Sequence, residues 1–163
     1  MFRKDDVIRV RNDFDWTSDN LYTSFMEGFN GKYGRVRNFY DTINTVEVDL
    51  EDTDNSSNWS FRAEDLEKVE YQKGDELIIL PGFIERDEHS LYYDAMRYLE
   101  GEEVKFHEFG SFDGHTTVYV DVVNQDGYVV DQWSFYLYDL EPCMFNEVFN
   151  EEQTLDSILG ALL

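Results

Sequence analysis

The sequence predicts a mainly β protein built from two similar small barrels in tandem, followed by a C-terminal helix. Three observations carry that expectation. They are an ordered internal repeat, short alternating apolar runs separated by turn residues, and an apolar stripe at helical spacing near the end of the chain.

The repeat sets the division. Trp59-Ser60-Phe61 with Asp65-Leu66-Glu67 returns 74 residues later as Trp133-Ser134-Phe135 with Asp139-Leu140-Glu141. Leu21, Tyr22, Met26, Gly31 and Phe39 recur 70 residues on as Leu91, Tyr92, Met96, Gly101 and Phe109, and Thr45 to Asp49 matches Thr117 to Asp121 at an offset of 72. An offset that only grows along the chain is what two copies of one fold with loop insertions produce. The copies occupy residues 1–70 and 71–142, joined by the short linker Val69 to Gly74, and residues 143–163 form a tail.

Within copy one, strands are expected over Asp6 to Val10, Gly31 to Phe39, Thr45 to Leu50 and Asn58 to Arg62, with the polar tract Asp52 to Asn58 as a hairpin loop. Copy two repeats this with Asp75 to Leu80, Glu103 to Phe109, Thr116 to Val123 and Tyr128 to Phe135. Here Asp126-Gly127 supplies a strong hairpin turn signal. His89 to Leu99 shows helical spacing through Leu91, Ala95, Met96 and Leu99, and its counterpart Leu21 to Met26 reads as a shorter turn. About five short strands in about 70 residues suit a closed barrel better than a sandwich, and closure removes exposed strand edges. In the tail, Leu155, Ile158, Leu159, Leu162 and Leu163 form the apolar stripe, with Thr154 as N-cap. Such a helix either docks on its own barrels or is satisfied in trans, by a second copy as a homodimer or by another partner.

The opening Asp6 to Val10, the Gly-Lys-Tyr-Gly-Arg-Val stretch from Gly31, the alternating Thr45 to Val48 and the Trp-Ser-Phe strand ending in Asp-Leu-Glu resemble SH3-like small barrels. The resemblance covers both copies. Copy two departs at Gly101 to Val104, where the Lys and second Gly are absent. Tandem barrels of this look occur among bacteriophage accessory proteins. The resemblance therefore implies a binding role and an origin of that kind.

Charge narrows the partners. Thirty-six acidic against thirteen basic residues give a net charge of −23, and 42% hydrophobic residues supply a core, so the acidity does not signal disorder. A surface of that sign repels nucleic acid and anionic membranes. Copy one carries a net −7, copy two −12 and the tail −4. A field of that kind steers a basic protein partner. The expected function is a non-enzymatic module that docks on a basic, nucleic-acid-binding protein surface and inhibits it by mimicking nucleic acid. The acids that copy one lacks are the candidate contacts: Glu85, Asp87, Glu88, Asp94, Glu100, Glu102 and Glu103. Phe14, Trp16 and Tyr22 form a candidate exposed aromatic contact in an early loop. The alternatives are a peptide-binding adaptor using aromatic grooves and a structural component of a larger particle held through the terminal helix.

Catalytic and metal chemistry lack a pattern. His89, His107 and His115 show no ligand spacing and read as solvated loop or strand residues. Asp49, Glu51, Asp52 and Asp54 resemble a calcium loop, yet counted from Asp52 the sixth position is Ser57 and the twelfth Ala63, where glycine and glutamate are required. At most a weak cation site remains, and no cofactor is expected. Cys143 is the single cysteine, which fits a reducing compartment, and residues 1–10 hold no apolar run of signal-peptide length. The expected location is cytoplasmic.

Overall fold

The computed structural model describes residues 1–53 and 58–143. The chain is mainly β, with two five-stranded antiparallel sheets, and among the described residues helical structure is limited to 3-10 turns. Strands β1 (Val7–Val10), β2 (Tyr33–Tyr40), β3 (Thr45–Leu50), β4 (Asn58–Arg62) and β5 (Leu66–Lys68) form the first sheet in the order β4-β3-β2-β1-β5. Strands β6 (Glu76–Ile79), β7 (Glu103–Phe112), β8 (His115–Val123), β9 (Val129–Tyr136) and β10 (Leu140–Pro142) form the second, in the order β10-β6-β7-β8-β9. Read from β9, the second order is the first one repeated.

The duplication extends to register. Val48 lies opposite Trp59 and Val46 opposite Phe61, while Val120 lies opposite Trp133 and Val118 opposite Phe135. Alternation explains the choice of face: Val46, Val48 and Leu50 are buried, whereas Glu47 and Asp49 point the other way. The turns repeat too. Gly31 has φ 78° and donates its N–H to the Val10 carbonyl at 2.9 Å, and Gly101 has φ 76° and donates to Ile79 at 2.9 Å. Both occupy the left-handed region that glycine tolerates without a Cβ penalty.

The second glycine of the Gly31 stretch answers a different need. A Cβ on Gly34 would strike the Asp49 carbonyl of the paired strand and come within 2.9 Å of Val48 Cγ1, so β2 and β3 approach too closely there for any side chain. Copy two places the buried Val104 at the corresponding position.

The chain forms two compact units. The first takes Met1–Tyr71 together with Ser111–Thr116, and the second takes Gln72–Gly110 and the described residues from Thr117 onward. The first core gathers Ile8, Val10, Phe14, Tyr22, Met26, Phe29 and the inward residues of β2 to β5. In the second, Phe83 meets Tyr92 at 4.9 Å and Phe135 at 5.2 Å between ring centroids, in a region where Leu77, Met96, Leu99 and Val120 are buried.

Some expectations change. His89 to Leu99 is helical only as the 3-10 turn Asp94–Leu99. The Asp87 carboxylate accepts the backbone N–H groups of His89, Leu91 and Tyr92 at 3.2, 3.1 and 2.7 Å, holding that segment as a loop in place of a helical ladder. Strand β2 starts at Tyr33 because the Gly31 turn occupies the preceding residues. Strands β5 and β10, three residues each, escaped a periodicity reading. The expected C-terminal helix lies outside the described residues. Among the described residues no helix is long and apolar enough to cross a membrane.

Candidate protein-binding surface

The acids singled out in copy two fall between β6 and the start of β7, and the structure gives them different tasks. Glu85 and Asp94 both accept from Arg97, Asp94 at 2.9 Å, so two carboxylates hold one guanidinium. Glu100 accepts the Gly82 N–H, and Asp87 organises its own loop. Burial raises the Asp87 carboxyl, but the backbone donors outweigh it and leave its pKa below the ordinary aspartate value. Glu88 and Glu102 are exposed. Glu103 opens β7 and accepts from the Cys143 thiol at 3.5 Å. These residues share one connecting region; they do not present seven equivalent free carboxylates.

The early aromatic set is corrected. Phe14 and Tyr22 are each 6% exposed and belong to the first core, stacked edge-to-face at 4.9 Å, and Trp16 is partly buried against it. Tyr22 sinks because its hydroxyl finds partners there: it donates to Asp65 and accepts the Arg62 N–H at 2.8 Å. Copy two builds the same arrangement, with Tyr92 donating to Asp139 at 2.6 Å and accepting the Tyr136 N–H at 2.9 Å. Asp139 is 0% exposed and also accepts from Arg86 at 2.8 and 3.0 Å. Burial pushes its carboxyl up, against the hydrogen bonds from Tyr92 and Arg86. The stripe Leu155, Ile158, Leu159, Leu162 and Leu163 lies outside the described residues.

The acidic run after β3 is likewise committed. Asp49 pairs with Arg37 at 3.5 Å, Glu51 is buried and accepts the Thr116 N–H, and Asp52 meets His115 Nε2 at 2.7 Å. Asp54 lies outside the described residues. His115 is therefore no solvated histidine: it is buried in the first unit, with Nδ1 at 3.0 Å from the Asp113 carbonyl. His107 sits 3.2 Å from Asp121.

Glu76, Glu103 and Cys143 place three ligand-type atoms within 4.8 Å of one another, because β6 pairs with both β7 and β10. Burial and the neighbouring carboxylates push the Cys143 thiol up to about 11. It stays a thiol at neutral pH.

Sequence reasoning missed the surface aromatics of copy two. Tyr93 is 67% exposed, Tyr98 57% and Tyr128 72%, and Val129 and Val130, which follow Tyr128 in sequence, are exposed as well. Their positions lack aromatic mates in copy one, so the repeat did not mark them. The Tyr93 and Trp133 rings lie 6.2 Å apart, and the Tyr98 hydroxyl donates to Asp131 at 3.2 Å. The 3-10 turn and β9 are thus tied into one aromatic surface.

Compared with known proteins, the chain matches no protein-family model and no curated protein.

Proposed function

We propose that this chain is a non-enzymatic acidic binding protein of two SH3-like small barrels, which docks on a basic, nucleic-acid-binding protein surface. The duplicated strand order supports reading each unit as such a barrel. One-sided charge carries the functional reading: no Lys or Arg follows Lys105 anywhere in the sequence. Several earlier cations are held internally, Arg86 by Asp139, Arg97 by Glu85 and Asp94, and Arg62 by Asp19 at 2.9 Å. The field that reaches solvent is negative, so a basic partner is attracted and nucleic acid repelled. Carboxylates presented where phosphates would lie then inhibit the partner by occupancy of its nucleic-acid site. The resemblance to bacteriophage accessory proteins fits such a role.

Tagged protein is incubated with lysate at low and high salt, and captured partners are challenged with DNA or RNA. A basic protein retained at low salt, lost at high salt and displaced by nucleic acid is the expected result. Capture that ignores both salt and nucleic acid overturns the proposal.

A further inference from the structure

Charge alone does not say where a partner sits, but one surface in the second unit combines charge with exposed apolar groups. The turn Asp94–Leu99 contributes Tyr93, immediately before it, and Tyr98, and β9 contributes Trp133 and Asp131. Asp131 and Trp133 are two apart in a strand, so they share one face of the sheet. The Tyr93–Trp133 ring approach at 6.2 Å and the Tyr98–Asp131 hydrogen bond at 3.2 Å join turn and strand into a continuous patch. Strand β9 is the edge of its sheet, and Tyr93 and Tyr98 are 67% and 57% exposed. A large apolar surface left in water on an otherwise charged chain marks an interaction site. Tyrosine and tryptophan suit that purpose because they bury much area with few rotatable bonds.

The charge of the patch selects the occupant. Residues 106–143 contain no cation, and Arg97, the one cation in the turn, is already held by Glu85 and Asp94. A second copy, with a net charge of −23, would bring like charge to like. A guanidinium stacks on an exposed aromatic face and forms a planar pair with a carboxylate, whereas an ammonium does the second only as a point charge.

We infer that Tyr93, Tyr98, Trp133 and Asp131 form the docking surface for an arginine-bearing apolar segment of the protein partner. This rests on the binding reading above and names its surface and partner chemistry. Arginine side chains stack on Tyr93 and Tyr98 and pair with Asp131, while apolar side chains cover the remaining exposed ring surface.

The test uses the full chain, Trp fluorescence and an acetylated octapeptide of alternating Arg and Leu, with alternating Lys-Leu and Glu-Leu octapeptides as controls. The Arg-Leu peptide binds most tightly, Lys-Leu more weakly and Glu-Leu not at all. Changing Tyr93→Ala and Tyr98→Ala together lowers Arg-Leu affinity about tenfold at both low and high salt. Circular dichroism identifies any loss of fold, and Tyr98→Phe, which removes only the hydroxyl, keeps the stacking and most of the affinity. Glu88→Lys with Glu102→Lys, outside the patch, separates the two readings. If that pair loses affinity while the tyrosine variant keeps it, the docking surface is wrong and the acidic-surface reading stands. If wild type binds Glu-Leu as well as Arg-Leu, or binds neither basic peptide, the inference is overturned. A dimer in sedimentation that the tyrosine variant dissolves overturns it as well, since the occupant is then a second copy.

Discussion

The Tyr92 hydroxyl donates to the Asp139 carboxylate at 2.6 Å, across 47 residues of sequence, and the same group accepts the N–H of Tyr136 at 2.9 Å. Tyr22 stands in the same relation to Asp65 and Arg62. Each hydroxyl pins the long loop after the first strand of its copy to the end of the fourth strand and the turn that follows.

Tyr92→Phe deletes the hydroxyl and leaves a buried N–H and a buried carboxylate each short of a partner. A loss of about 1–3 kcal/mol in urea unfolding is expected. Tyr22→Phe costs less, because Asp65 is more exposed than Asp139. Equal losses would show that carboxylate burial does not set the cost.

His115 makes the stability of the first unit depend on pH near neutrality. Burial opposes its protonation, but the hydrogen bond to Asp52, the Asp113 carbonyl and the Glu51 charge outweigh it and raise the pKa above 6.5. A raised histidine pKa means the folded state binds the proton more tightly than the unfolded state does. That stabilisation is complete below 6.5 and is lost as pH rises through the raised value. Urea midpoints followed across this range should therefore fall with rising pH, and His115→Gln should flatten the slope. An unchanged slope in the variant removes His115 as the cause.

Cys143 is buried and its thiol is pushed up to about 11. At neutral or mildly alkaline pH alkylation by iodoacetamide should run about a hundredfold slower than for a free cysteine thiol, and urea should restore the normal rate. Fast alkylation of the folded chain, followed by mass spectrometry, would contradict this placement.

The fold was legible where the repeat recorded a structural obligation. Gly31 and Gly101 mark left-handed turns, Trp59 and Trp133 stand opposite Val48 and Val120, and Asp65 and Asp139 receive the tyrosines. These residues recur because one geometry demands them twice. Placing Phe14 and Tyr22 in an early loop suggests exposure, but the partner that buries the Tyr22 hydroxyl is 43 residues away and leaves no local signal. The patch at Tyr93, Tyr98 and Trp133 was hidden for the opposite reason. Its tyrosines occur in one copy only, and it exists because the turn folds against β9 at Trp133.

The first unit draws its residues from two separate stretches of chain, because Ser111–Thr116 belongs to it along with Met1–Tyr71. Those few residues bring the Thr116 N–H to the buried Glu51 and the His115 ring to Asp52. A chain ended at residue 71 would strand Glu51 without its donor. Whatever autonomy an ancestral single module possessed has been surrendered in the first copy: it is completed by residues encoded within the second, so the first half of the gene does not by itself specify a finished domain.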